Sequence, residues 1–409
     1  ATTGLSGNMS IVLIGLICTF YSAVGGIKAV LITDVFQGLL MFAGIACVLC
    51  IAAADLDGGL SNVWSIAREG GRVDLFDFRI DPTVRHTWWA SLIGGTTIFL
   101  SIYAVNQVQV QRLNLKSSQN ALLLSGPITL ALGILTSFSG LVLYAVYKDC
   151  DPVLSRKIDS YDQIMPYFAA ERMSRVPGIA GLFISGIFSA SLSTISAMLN
   201  SLAAVALEDY VKPVCSRFGV QFPTEKAALI AKLLVVLNGF NCLAMAFLAK
   251  SMGSLVEAAL GISGAITGPI LGIFTLGMFV ERANETGAIV GTVSALMACL
   301  WAAFGKPKPP TPALPLSVDG CENSTLQVND SSYFYLYRIS YLWYNPLGLI
   351  ITLLVGYITS LVTGKIFHKD AREPDPSLFI PFLATRIRRR RQNAEKTTAS
   401  QVFVLETRK

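Results

Sequence analysis

A series of apolar runs, each close to the length of a bilayer crossing, limits most what this chain can fold into. "MSIVLIGLICTFYSAV", "ITDVFQGLLMFAGIACVLCIAAA", "ALLLSGPITLALGILTSFSGLVLYAV" and "LGLIITLLVGYITSLVTG" are four of them. A helix needs about 20 such residues to cross the hydrocarbon, and lipid offers no partner to an unsatisfied backbone amide. The runs therefore predict an all-α, polytopic membrane protein with about nine spans. These are expected over residues 9–24, 29–54, 89–108, 121–147, 178–207, 226–249, 252–280, 286–304 and 343–365. Composition agrees, since only 14% of the 409 residues are charged, against about 25% in soluble domains.

The basic residues set an orientation. The tail carries "RIRRRR", and the short connections 108–120 and 208–225 carry Arg112, Lys116, Lys212 and Arg217, so these are expected in the cytoplasm. An odd number of spans then places the chain's start and loops 55–88, 148–178 and 305–342 outside. The last loop holds the sequons "NST" and "NDS", which makes Asn323 and Asn329 candidate glycosylation sites. A third sequon, "NET" at Asn284, falls on the cytoplasmic side and is expected to go unused. Residues 1–365 read as the transmembrane domain, 305–342 as an extracellular loop, and 366–409 as a largely disordered cytoplasmic tail whose arginines are drawn to anionic lipid. The chain opens on Ala1 and enters an apolar run almost at once, which reads as a sequence beginning mid-protein, with a processed mature chain as the alternative.

Of the eight cysteines, Cys150 in "KDCDP" and Cys321 in "DGCENS" are the two placed outside, and they are the pair available for a disulfide. The others show no metal-ligand array. The only histidines are His86 and His368, neither in a span, and no nucleophile with a base or phosphate-binding loop stands out, so an enzyme is not expected.

Span five contains "FSASLSTISAMLNS", residues 188–201, rich in hydroxyls where leucine would serve a lipid-facing helix. At 100° per residue Ser189, Ser193, Ser196 and Asn200 share one face, with Ala190, Thr194, Ala197 and Ser201 beside it. Two readings account for the stripe. Small residues let another helix approach closely. Alternatively, the Ala190 carbonyl with the Ser193 and Thr194 hydroxyls makes one turn of a sodium site, because a hard monovalent cation takes several oxygens. The first connection, "YSAVGGIKAVLITDVFQ", places Asp34 inside a span, where a carboxylate is costly unless it meets water, a cation or a partner such as Lys28.

In combination these segments resemble the sodium/solute symporter family, to about residue 385. The glycine pair and Thr33–Asp34 of the first connection, "NQVQVQR", the span-five run and "GISGAITGPILGIFTLGMF" fall in the family's order. "IYAVNQVQVQR", "YKDCDP" and "DQIMPY" are most similar to the branch of iodide, monocarboxylate and multivitamin transporters. The resemblance implies a LeuT-type inverted-repeat fold, with about nine helices of about thirteen present and the broken first core helix among those expected before Ala1. It implies sodium bound by Ala190, Ser193 and Thr194, Asp34 on the cytoplasmic cation path, and Tyr103 near the inner gate of the substrate path. The expected activity is sodium-coupled symport of a monocarboxylate, a vitamin carboxylate or a similar small anion across the plasma membrane by alternating access, with Na+ as coupling ion. The rivals are a non-transporting sodium-binding sensor or channel-like relative, and a sodium/sugar symporter. The partners implied are the small solute and membrane lipid, and no nucleic acid.

Overall fold

The structure, a computed structural model, describes residues 6–56, 58–73, 76–106, 108, 118–220, 222–249, 255–305, 335–366 and 375–406. In chain order its main helices are α1 (Gly7–Gly26), α2 (Val30–Asp55), α3 (Leu60–Glu69), α4 (Ala90–Val105), α5 (Ser118–Val146) and α6 (Ile164–Glu171). They continue with α7 (Ile179–Arg217), α8 (Ala227–Ala249), α9 (Ala259–Phe279), α10 (Glu285–Phe304), α11 (Tyr344–Ile366) and α12 (Pro381–Glu406). Among the described residues there is no strand, as expected where each segment must close its own backbone hydrogen bonds.

Among the described residues eight helices are long and apolar enough to cross a membrane. The expected third span, 89–108, is shorter: α4 ends at Val105 because Asn106 turns to extended backbone at φ −76° and ψ 119°. Two segments of α4, Ala90–Gly94 and Ser101–Val105, are π-helical, a local widening that often accompanies functional positions. The tail, read from composition as largely disordered, carries α12 instead. Pro381 is suited to a first helical position, and Ala384 and Ile387, one turn apart, bury on one side.

The chain divides into two units. The first holds α1–α3 and α5–α8. Gly26 separates α1 from α2 with φ 61° and ψ −168°, a conformation open to glycine and costly for other residues. Val48, Ala52, Val63, Val142, Phe168 and Phe183 form one core cluster; Cys18, Leu199, Ala203 and Val235 form another. Close approach rests on glycine: a Cβ on Gly186 of α7 would lie 2.9 Å from the Leu40 carbonyl oxygen of α2, and one on Gly44 would lie 3.7 Å from Phe183 Cα. Phe20, Ile32, Phe36 and Leu39 point away from this packing and are more than 60% exposed, which suits side chains solvated by lipid.

The second unit holds α4 and α9–α12. Here α10 and α11 touch backbone to backbone, since a Cβ on Gly291 would stand 2.8 Å from Gly356 Cα and from the Thr352 carbonyl oxygen. Asn345, fully buried on α11, donates through Nδ2 to Thr267 Oγ1 at 2.7 Å and to Ser101 Oγ at 3.1 Å, joining α9, α4 and α11. Asn284 caps α10, accepting from Gly287 N at 2.8 Å and donating to Thr363 Oγ1 at 2.8 Å. The amide of the "NET" sequon is thus engaged inside the fold.

Candidate functional site

The hydroxyls of α7 are not equivalent. Ser191 bonds back to the Ile187 carbonyl at 3.3 Å, Ser196 to that of Ser193 at 3.0 Å, and Asn200 to that of Ser196 at 2.9 Å. Side chains of this kind satisfy themselves on their own helix and leave a narrow, closely packed surface. Ser189, Ser196 and Ser201 are indeed buried, so helix packing accounts for them.

Ser193 differs. Its Oγ reaches across to α2 and donates to Asp34 Oδ1 at 2.5 Å, the short distance expected of a hydroxyl on a carboxylate. One residue on, Thr194 Oγ1 donates to the Ala190 carbonyl at 3.1 Å, and Thr194 is exposed. A single turn of α7 therefore gathers the Ala190 carbonyl and two hydroxyls, with a carboxylate held against one of them. Such a mixed neutral and anionic oxygen set suits a hard monovalent cation. Read from sequence, Asp34 and the span-five triplet were separate features; the structure brings them together across 159 positions.

A third helix holds the same turn. Tyr21 of α1 donates its phenol to the Leu192 carbonyl at 3.0 Å, and the Cys18 thiol points at the same oxygen at 3.8 Å. Leu192 lies between Ala190 and Thr194, so α1 fixes the height of this turn while α2 supplies the acid. The sequence reading missed Tyr21. An aromatic hydroxyl near the end of an apolar run is a weak signal, because phenols at membrane interfaces are common.

Tyr103 sits in the π-helical end of α4, in the second unit, with its ring stacked on Phe99 at a centroid separation of 6.2 Å. Cys150 is disulfide-bonded; Cys321, Asn323 and Asn329 lie outside the described residues. Beside Cys150 the Asp151 carboxylate accepts from the amides of Val153 and Leu154 at 2.9 and 3.0 Å and from Tyr161 Oη at 3.3 Å. Burial, and then the Asp151 charge, push the Tyr161 phenol up to about 12, so it remains a donor at neutral pH. Asp55 at the end of α2 pairs with Arg172 at 3.5 Å and Arg175 at 3.3 Å, tying loop 148–178 to the end of that helix.

The kinked pair α1 and α2 thus delivers a carboxylate to a hydroxyl-rich turn among helices long and apolar enough to cross a membrane. Comparison with known proteins narrows this. The sodium:solute symporter family matches residues 1–294, and the chain belongs to that family. It is 45% identical to a putative sodium-dependent multivitamin transporter of Drosophila melanogaster, over 95% of this chain and 69% of that protein. It is 39% identical to sodium-coupled monocarboxylate transporter 1 of Homo sapiens, over 87% of this chain and 62% of that one. With the sodium-dependent multivitamin transporter of Oryctolagus cuniculus it shares 36% identity, over 94% of this chain and 62% of the relative. The chain thus spans roughly two thirds of the length of these relatives. A Na+-coupled sialic acid symporter, solved in a substrate-bound outward-open state, superimposes with a TM-score of 0.66 at 24% identity, over 88% of this chain and 68% of that one. The fold is the LeuT-type transporter fold.

Proposed function

We propose that this protein is a transporter, not an enzyme, and couples inward movement of Na+ to uptake of a small organic anion, a monocarboxylate or vitamin carboxylate, by alternating access at the plasma membrane. The contact of Ser193 Oγ with Asp34 Oδ1 at 2.5 Å, one residue from Thr194 on Ala190, carries the proposal. The names of the relatives support the coupling ion and the solute class.

In this reading the Ala190 carbonyl and the Ser193 and Thr194 hydroxyls bind Na+, and Asp34 receives the ion on its way to the cytoplasm. Sodium on this turn favours the state that accepts solute, and its release accompanies inward opening, because an ion shifts an equilibrium only by its difference in affinity for the two states. The work is adequate: one charge falling through 100 mV releases about 2.3 kcal/mol, and each tenfold concentration ratio adds about 1.4 kcal/mol. Tyr103 lines the solute path. The C-terminus is cytoplasmic, Cys150 pairs with Cys321, and Asn323 and Asn329 carry glycans on the outer side.

The test is accumulation of labelled lactate, biotin, pantothenate, iodide and glucose by cells expressing the full-length protein, with sodium or choline outside. A carboxylate is expected to accumulate only in sodium. Accumulation of glucose, currents without solute accumulation, or uptake indifferent to choline would each overturn the reading. Within that assay Thr194→Ala removes one neutral ligand oxygen and leaves the fold, because the hydroxyl bonds only its own helix among the contacts described. The sodium concentration for half-maximal uptake is expected to rise several-fold, at unchanged surface abundance, since a ligand hydrogen bond or its equivalent is worth about 1 kcal/mol. An unchanged sodium dependence removes Thr194 from the ligand set.

A further inference from the structure

The tail helix α12 has two unlike sides. Ala384 and Ile387 are 8% and 6% exposed, and Arg391, one turn further along the same side, is half-buried. This side docks at the end of α9: Ile380 N donates to the Met278 carbonyl at 3.4 Å, and Arg390 pairs with Glu281 at 2.8 Å. A turn at Pro376–Leu378, capped by Asp375 through Ser377 N at 2.9 Å, leads the chain into this position. Glu281 follows the last residue of α9, Phe279, by two positions. The helix is therefore fastened at the level where a membrane-spanning helix leaves the hydrocarbon.

The opposite side is unlike a surface meant for water alone. Phe382, Arg386 and Arg389 fall at i, i+4 and i+7, which is one stripe of a helix. Phe382 is 74% exposed and Leu378, just before the helix, is 68% exposed. Arg386 and Arg389 are exposed and make no ion pair among the described residues. Exposed apolar groups next to guanidinium groups, on a helix fixed beside the end of a span, match the boundary between acyl chains and anionic headgroups.

We propose that the stripe Leu378, Phe382, Arg386 and Arg389 is a binding surface for anionic phospholipid headgroups of the adjacent leaflet, with the two apolar side chains entering the acyl boundary. The leaflet is the cytoplasmic one on the orientation proposed above; the binding itself needs no transport activity, so either can fail alone.

The full-length protein is placed in nanodiscs of phosphatidylcholine alone or with phosphatidylserine, and amide exchange is followed over residues 376–393. Exchange is expected to slow several-fold only with phosphatidylserine; equal rates in the two lipids overturn the proposal. Native mass spectrometry of retained lipid supplies a second readout. Arg386→Gln with Arg389→Gln is expected to weaken phosphatidylserine retention about thirty-fold, from the usual contribution of two basic residues at an anionic surface. Arg386→Lys with Arg389→Lys keeps the charge and is expected to keep the lipid. Full retention by the glutamine variant, or equal loss in both variants, overturns it, the latter pointing to a guanidinium-specific partner such as a protein.

Discussion

Asp34→Asn is expected to reduce sodium-dependent uptake by at least tenfold at physiological sodium, with near-normal protein at the cell surface. Asparagine has the shape of aspartate and still accepts a hydrogen bond from Ser193, which in the native protein donates to Asp34 Oδ1. The fold therefore loses little. The charge is another matter: an ionised carboxylate within a span costs roughly 2.5–3.5 kcal/mol at a helix centre, and such residues commonly mark ion pathways. At an effective dielectric of 20, a cation about 4 Å from a carboxylate gains about 4 kcal/mol, and losing about half of that already exceeds tenfold. Asp34→Glu, which keeps the charge and lengthens the arm, is expected to fall between. Uptake of labelled solute against sodium concentration, normalised by surface biotinylation, checks this. Wild-type sodium dependence in Asp34→Asn would leave the acid as a packing partner of Ser193.

Gly291→Leu is expected to have the largest effect on folding. The position lies on α10 where a Cβ would meet Gly356 Cα and the Thr352 carbonyl oxygen at 2.8 Å, distances that no side chain tolerates without backbone movement. Even Gly291→Ala must separate α10 from α11 and is expected to cost about 1–3 kcal/mol. The leucine exceeds that range, and little mature protein is expected at the surface. The neighbouring contacts give no relief, because Gly287 faces Ser360 and the Gly356 carbonyl in the same seam. Thermal unfolding of the purified alanine variant and surface abundance of the leucine variant are the measurements. A leucine variant as stable and abundant as the native protein would mean that the α10–α11 seam is looser than its geometry.

Much of the architecture is legible before any coordinates. Apolar run length alone places α1, α2, α5, α8, α10 and α11 and the start of α7 to within a few residues, because a bilayer dictates both length and helicity. The hydroxyl stripe of α7 is visible as a breach of that apolar pattern. Two features escape this kind of reading. α4 stops short because Asn106 leaves the helix, and hydropathy does not register a backbone dihedral. α12 forms in a polar tail because Ala384 and Ile387 find a surface at the end of α9, and that surface is remote in the chain.

The site divides in the same way. Ala190, Ser193 and Thr194 are local: one helical turn brings them together whatever surrounds it. What each does depends on other helices. The hydroxyls share one sequence pattern but differ in surroundings, Ser189 and Ser196 being buried and Thr194 exposed. Asp34 meets Ser193 across 159 positions, and Tyr21 meets the Leu192 carbonyl across 171. Those meetings are set by the Gly26 kink and by the close approach at Gly44 and Gly186, three-dimensional consequences of missing side chains. Sequence by itself determined that the chain spans a membrane as helices and which turn carries the oxygens, since both follow from short-range periodicity and the insolubility of bare amides in lipid. Only the tertiary structure decided which acid faces that turn, which phenol holds it and which side of the tail is left for a partner, since these depend on how helices distant in sequence fit against one another.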